Sequence, residues 1–181
     1  MKKSTMKPWK KIGERYQYKG WRSLMQKDFI LPDDKKASYD IFENANFVCI
    51  AAFTEDQEAI LVRQFRPGPE MNLTSFPEGY IDPGEAVELA ARRELLEETG
   101  FEAGEVVHLK TIRGAYTTEA KICMLAFNCK KIGAQNLDTD EFIEVRLMPL
   151  ADFRQYIRQP KEEEFTTIDC AYLALDYLNL F

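Results

Sequence analysis

A stretch of 23 residues, from Gly79 to Phe101, constrains the fold of this chain more than any other part of it. It opens with GYIDPGE, in which two glycines and a proline bracket a bend. A helix is then predicted from about Glu85 to Thr99, and Gly100 is well placed to end it. The chain must therefore fold so that a tight turn leads directly into a helix that stops at a glycine.

The predicted helix carries a cluster of acidic residues in the run RELLEE, which begins at Arg93. At about 100° of rotation per residue, Glu94, Glu97 and Glu98 share an arc of roughly 100° on one helix face. Hard oxygen ligands on a rigid helix suit Mg²⁺ or Mn²⁺. The competing interpretation is a solvated acidic face with an ordinary Arg93–Glu97 pair. The preceding turn, which brings Glu85 to the start of the helix, favours the metal site.

The rest of the chain predicts strands interleaved with helices. Residues 1–45 contain apolar runs around a Pro-Asp-Asp turn, which indicates antiparallel strands. From Asn46 onward, FVCIAAF and AILVRQF predict a hairpin, and residues 66–85 are too rich in Gly and Pro to form one regular element. Strands are then predicted in VVHLKTIRG, KICMLAFNCKKI and IEVRLMPL, and helices in LADFRQYIR and CAYLALDYLNLF. We expect an α/β or α+β domain over residues 46–181, preceded by an N-terminal extension over residues 1–45.

Composition argues against nucleic-acid and membrane partners. The chain has 30 acidic and 24 basic residues, a formal net charge of -6, and no long basic run. It contains neither about 18 consecutive apolar residues, as a spanning helix would need, nor a signal peptide. The four cysteines form no CxxC pair, which predicts reduced thiols, mostly in the core. His108 alone cannot supply a His-based zinc site or a Ser-His-Asp triad and is interpreted as structural. We expect a soluble cytoplasmic protein.

At every fixed position, residues 79–101 resemble the Nudix box: Gly79, Glu85, REL at 93–95, EE at 97–98 and GF at 100–101. The resemblance implies the Nudix fold, in which a mixed β-sheet is sandwiched between α-helices. It also implies a hydrolase that uses Mg²⁺, for which Mn²⁺ can substitute, to cleave a diphosphate linkage. A small-molecule nucleoside diphosphate derivative is then the expected substrate.

The same resemblance implies roles for individual residues. It makes Glu94, Glu97 and Glu98 the metal ligands. It makes Arg93 a candidate catalytic residue and Glu85 a candidate substrate-binding residue. Both are expected to orient the metal ligands by salt bridging. The backbone carbonyl of the residue before the first box glycine adds a metal contact in related enzymes, and here that residue is Glu78. Many relatives carry alanine there, so the Glu78 side chain is a departure.

Segments outside the box resemble the ADP-ribose and nucleoside-diphosphate-sugar pyrophosphatase branch. They are ILPDDKKASYDIF, AILVRQFRP, the Pro-Glu-Gly before the helix, and DEFIEV. In that branch an acidic loop near DEFIEV supplies the general base. By position Glu141 matches best, Asp140 is second and Asp138 is a further candidate, while an ordinary polar turn is the competing interpretation. The N-terminal strands of this branch often assist dimerisation, so a homodimer is expected.

Two arginines just before the box, Arg63 and Arg66, are candidates to bind the substrate diphosphate or a terminal ribose, and Arg66 is preferred. Surface solvation is the plainer interpretation of both. Trp9, Trp21 and Tyr116 have aromatic rings that suit stacking on a nucleobase, but a buried core or a subunit contact is the favoured interpretation.

Three functions are compatible with these observations. The first is hydrolysis of ADP-ribose or a related nucleoside diphosphate sugar to a nucleoside monophosphate and a sugar phosphate. The second is hydrolysis of dinucleoside polyphosphates, nucleotides or capped RNA ends, which the GAYTT sequence from Gly114 favours because many ADP-ribose hydrolases have a proline in this region. The third is a non-catalytic ligand sensor. The complete set of box carboxylates favours an enzyme.

Overall fold

The N-terminal strand signals form one antiparallel sheet. In the computed structural model, which describes residues 7–159 and 165–180, β1 (Lys10–Tyr18), β2 (Ser23–Ile30) and β3 (Lys36–Glu43) are hydrogen-bonded in that order. The Pro-Asp-Asp turn connects β2 and β3, and Asp34 adopts a φ of 65°, which aspartate tolerates well. The predicted antiparallel pairing around this turn is confirmed. This sheet belongs to a unit that takes in the chain up to Ala45 together with Arg113–Ala120.

The aromatic side chains of this unit stay largely in solvent. Trp9 packs on Tyr39 with ring centroids 5.5 Å apart, and Tyr39 stacks on Tyr116 at 6.3 Å. Trp9, Trp21 and Tyr116 nevertheless remain exposed. The expected buried core is therefore wrong for these three residues, whereas the subunit contact stays a prediction.

The second unit, Asn46–Ile112 and the chain from Lys121 onward, is built on an eight-stranded mixed sheet. Its main path runs β11-β5-β4-β10-β8, with β6 on β5, β7 on β4 and β9 on β10. The β4–β10 pairing is parallel, and the other pairings with a defined register are antiparallel. The strands are β4 (Phe47–Thr54), β5 (Glu58–Arg66), β6 (Met71–Ser75), β7 (Glu78–Tyr80), β8 (Phe101–Glu102), β9 (Glu105–Arg113), β10 (Ala120–Lys131) and β11 (Glu144–Pro149).

In the described ranges, three helices cover the two faces of this sheet: α1 (Val87–Thr99), α2 (Leu150–Tyr156) and α3 (Ile168–Tyr177). Consecutive residues of a strand point to opposite faces, so β4 contributes to two separate cores. The core on the α1 side contains Val48, Ile50, Ala52, Ala90, Ala91 and Leu95. The core on the α2 and α3 side contains Cys49, Ala51, Phe53, Phe153, Cys170 and Leu175. The predicted fold, a mixed sheet sandwiched between helices, is confirmed.

Sequence and structure differ in detail around the box. The segment 66–85, expected to be a loop, contains β6 and β7, which pair with β5 and β4. Pairing with strands that are already buried satisfies the backbone groups of this Gly- and Pro-rich segment, which local propensity does not reveal. The helix begins at Val87, two residues after its predicted start, because Glu85 takes part in a turn with Asp82.

All four cysteines are free and buried, as predicted for reduced core thiols. Within residues 7–159 and 165–180, no helix has the length and apolar character needed to cross a bilayer.

Candidate active site

Helix α1 presents its three clustered carboxylates at graded depths. Glu98 lies on the face that buries Leu95 and is itself only 4% exposed. The side chain of Glu94 is 14% exposed, and that of Glu97, at the outer edge, is 38% exposed. The three side chains therefore mark a gradient from the protein interior to solvent.

Gly79 on β7 allows α1 to approach the sheet closely. A Cβ atom at this position would overlap the carboxyl group of Glu94. Any residue larger than glycine would thus displace Glu94, which explains the first glycine of the box. At the other end of the helix, Gly100 has a φ of 71° and donates its N–H to the carbonyl of Leu96 over 2.7 Å, ending the helix as predicted.

Arg93 connects the turn, the strand and the helix. Its guanidinium donates to both carboxylate oxygens of Glu85, from Nε at 2.9 Å and from Nη2 at 2.8 Å. The same group donates to Glu94 at 2.7 Å, to Glu97 at 3.2 Å and to the carbonyl of Tyr80 at 3.0 Å. These bonds from Arg93 hold the pKa of Glu85 down at about 2. Because a guanidinium is planar and always charged, it fixes the relative orientation of all these groups.

Glu98 is a buried carboxyl group that faces other acids. Burial, together with the charges of Glu94 and Glu141, raises its pKa to about 9, against a lowering bond from the Glu78 N–H. That N–H donates to Glu98 Oε2 over 3.2 Å. Burial also raises the pKa of Glu94, although Arg93 opposes this. Among the residues that the structure describes, Glu98 forms no ion pair, so its negative charge would be uncompensated.

These side chains are not gathered around a single point. In the described part of the chain, no group of three or more His, Cys, Asp or Glu side chains is arranged to hold an ion. Arg93 engages Glu94 and Glu97, whereas Glu98 turns towards β7. The donor set nevertheless suits a hard divalent cation, since it consists of carboxyl oxygens and includes the buried Glu98, which has no cationic partner among the described residues.

The side chain of Glu78 points away from this cluster. Glu78 is in register with Cys49, and the side chain of Cys49 enters the core on the α2 and α3 side. The next residue, Gly79, faces α1 instead. The carboxylate of Glu78 lies 3.8 Å from Nη2 of Arg66 and is influenced by the charges of Lys121 and Asp169. Burial raises the pKa of Glu78, and the two cations lower it. Only the backbone of Glu78 is therefore directed at the box carboxylates.

The comparison with known proteins decides the family. Residues 43–167 match the NUDIX domain. The chain belongs to the Nudix family. The family predicted from the Nudix box at residues 79–101 is confirmed. Membership of this family identifies the protein as a hydrolase of the pyrophosphatase class.

Two curated relatives and one solved structure resemble this Nudix hydrolase along most of its length. An ADP-ribose pyrophosphatase of Bacillus subtilis is 31% identical over 163 residues, covering 87% of this chain and 84% of the relative. A methanol dehydrogenase activator of Bacillus methanolicus is 27% identical over 173 residues, with the same coverage. A crystal structure of an ADP compounds hydrolase superposes with a TM-score of 0.83 over 97% of each chain at 23% identity, which supports the shared fold.

The acidic loop of this Nudix hydrolase brings Glu141 into electrostatic reach of the helix. The charge of Glu141 raises the pKa of both Glu94 and Glu98. Its carboxylate accepts the Asp138 N–H over 3.2 Å, and the Glu141 N–H donates to the Asp138 carbonyl over 3.1 Å. Asp140 is exposed in the same turn.

The two candidate arginines lie in different surroundings. Arg66, at the end of β5, is near Glu78. Arg63 is opposite Glu144 of β11 and lines a groove of about 470 Å³ that also contains Glu141.

Sequence reasoning missed Gln135. Its side-chain amide donates to the carbonyl of Glu98 over 2.6 Å and to the carbonyl of Ile143 over 3.0 Å. It thereby connects the end of α1 with the segment that follows Glu141. A polar residue between a strand and an acidic loop gives no sign of these partners in the sequence, because both acceptors are backbone groups.

Proposed function

We propose that this Nudix hydrolase cleaves the diphosphate linkage of ADP-ribose or a related nucleoside diphosphate sugar with the help of Mg²⁺. The products are a nucleoside monophosphate and a sugar phosphate. The observation that carries the proposal is the buried carboxyl group of Glu98. It is influenced by the charge of the neighbouring Glu94, and it has no cationic partner among the described residues. The substrate class is supported by the Bacillus subtilis relative, an ADP-ribose pyrophosphatase.

In this proposal Glu94, Glu97 and Glu98 hold the metal together with the backbone carbonyl of Glu78. Bound Mg²⁺ would neutralise charge on the diphosphate and acidify a water molecule. Mn²⁺ offers the same hard-ligand chemistry. Arg93 keeps the carboxylates in position through its bonds to Glu85, Glu94 and Glu97.

The remaining residues handle the substrate and the proton. Glu141 accepts a proton from the water whose oxygen attacks one phosphorus, and Asp140 is the second candidate for this role. The bond between that phosphorus and the bridging oxygen breaks, and the other phosphate leaves with the electron pair. Arg66 binds the diphosphate, for which its guanidinium is suited.

A substrate panel tests this proposal. ADP-ribose, GDP-mannose, UDP-glucose and diadenosine polyphosphates are incubated with Mg²⁺, and the products are identified. We expect the sugar nucleotides to be preferred. A clear preference for a polyphosphate would assign the protein to a different branch, and binding without turnover would indicate a sensor.

A matched pair of variants tests the site within the same assay. Glu98→Gln should abolish hydrolysis, whereas Glu88→Gln should retain it, because Glu88 is an exposed carboxylate of the same helix paired with Arg92. Equal activity of the two variants would remove Glu98 from the mechanism.

We further propose that the protein forms a homodimer through the sheet β1–β3. The support is the exposure of large apolar side chains on this sheet, among them Ile12, Tyr16 and Tyr18. Light scattering should give twice the mass of the chain. A monomer at micromolar concentration would contradict this proposal.

A further inference from the structure

The groove beside Glu141 has the properties of a ligand site. Its volume of about 470 Å³ falls within the range of small-molecule pockets, roughly 300–1,000 Å³. Both polar and aromatic side chains line it. They include Arg63, Gln64, Asn72, Glu141, Phe142 and Glu144.

The charges of the lining argue against a phosphate in the groove. Arg63 is in register with Glu144, and its charge helps to lower the pKa of Glu144 after the stronger effect of a bond from Arg146. Glu144 is already paired with Arg146, whose Nε lies 3.0 Å from its carboxylate, so Arg63 and Glu141 leave the lining with no surplus of positive charge. An anionic group would find no net electrostatic attraction here, whereas neutral hydroxyl groups can donate to the carboxylates and bond with the amides of Gln64 and Asn72.

The position of the groove relates it to the reaction. Glu141 and Ile143 line the groove, and the side-chain amide of Gln135 donates both to the carbonyl of Ile143 over 3.0 Å and to the carbonyl of Glu98 over 2.6 Å. A substrate whose diphosphate lies at the carboxylates of α1 therefore has one of its ends close to the groove. In a nucleoside diphosphate sugar, the group bonded directly to either phosphate is a sugar.

We propose that this groove binds the terminal sugar of the substrate, the one released as sugar phosphate, with Gln64 and Asn72 as specificity-determining residues. The proposal rests on the proposed function. A hydroxylated sugar can use all the polar side chains of the lining and can pack its C–H face on Phe142, which is 83% exposed. An adenine base has one amino group that can donate to the carboxylates, whereas a sugar has several hydroxyl groups that can both donate and accept.

Product inhibition distinguishes the two ends of the substrate. Hydrolysis of ADP-ribose is measured for the wild type and for Gln64→Ala and Asn72→Ala, with ribose 5-phosphate and AMP as inhibitors. Each variant should raise the KM for ADP-ribose and weaken inhibition by ribose 5-phosphate by about five- to tenfold, the effect of one lost hydrogen bond. Inhibition by AMP should stay within about twofold. Gln155→Ala, an exposed amide on α2, is the matched control and should change none of these values.

Every outcome of this experiment is informative. Weaker inhibition by AMP alone would place the nucleoside in the groove and overturn the proposal. Unchanged inhibition and an unchanged KM would also overturn it. Failure of the wild type to hydrolyse any sugar nucleotide would instead refute the proposed function, and the wild-type assay alone reveals that. Thermal melting verifies folding of the variants, which is expected to persist because Asn72 is exposed and Gln64 is only half-buried.

Discussion

Replacing Glu98 with Gln should change stability and activity in opposite directions. In the metal-free protein Glu98 is 4% exposed, and burial raises its pKa from 4.5 to about 9. Between these two pH values the folded protein keeps a proton that the unfolded chain releases. The free energy of unfolding contributed by this group therefore decreases as pH rises through that window. Glutamine has the same shape, bears no charge, and its carbonyl can still accept the Glu78 N–H.

The size of the effect follows from the pKa. At ~1.36 kcal/mol per pH unit, the destabilisation by Glu98 grows from about 2 kcal/mol at pH 6 to about 5 kcal/mol at pH 8. Relaxation and water penetration reduce such penalties, so a difference of about 2 kcal/mol at pH 8 is a realistic lower bound. Saturating Mg²⁺ should reduce this advantage of Glu98→Gln, because it stabilises the form that binds it, by about 3 kcal/mol at a hundred times the dissociation constant.

Urea denaturation measures this prediction. Wild type, Glu98→Gln and the control Glu88→Gln are unfolded at pH 6, 7 and 8, first with EDTA and then with Mg²⁺. With EDTA, the advantage of Glu98→Gln over the wild type should grow with pH, and the control should show no such trend. An advantage that stays constant across these pH values would refute the reasoning, since it would mean that Glu98 titrates normally in the folded protein.

Three other substitutions test the framework around Glu98. Gly79→Ala should lower kcat by about a hundredfold, because its Cβ would displace Glu94 and small misplacements of reacting groups reduce the rate. An unchanged kcat would show that Glu94 can move without loss of activity. Arg93→Lys should cost about 10- to 100-fold in activity or in metal affinity, read from Mg²⁺ titrations, since a lysine cannot make both bonds to Glu85. Glu141→Gln should reduce kcat by about 10²- to 10⁴-fold with an unchanged melting temperature, and near-normal turnover would exclude it as the general base.

The fold and the centre of the site were predictable because their signals are local. The antiparallel N-terminal strands, the hairpin of β4 and β5, and the end of α1 at Gly100 follow from turn residues and apolar alternation within short windows. The strands β6 and β7 were not predicted, because their pairing partners and not their own residues make them regular. Gln135 was missed for a similar reason, since its partners are backbone carbonyls distant in sequence.

The sequence by itself determined the family, the reaction class and the acidic face of α1, because helical spacing is enough to put Glu94, Glu97 and Glu98 side by side. Tertiary structure alone decided how deeply each carboxylate is buried, and hence which of them has a perturbed pKa. It also decided that Glu78 contributes its backbone and not its side chain to this cluster. The physical reason is that burial, strand register and charge proximity depend on segments far apart in the chain, which only packing brings together.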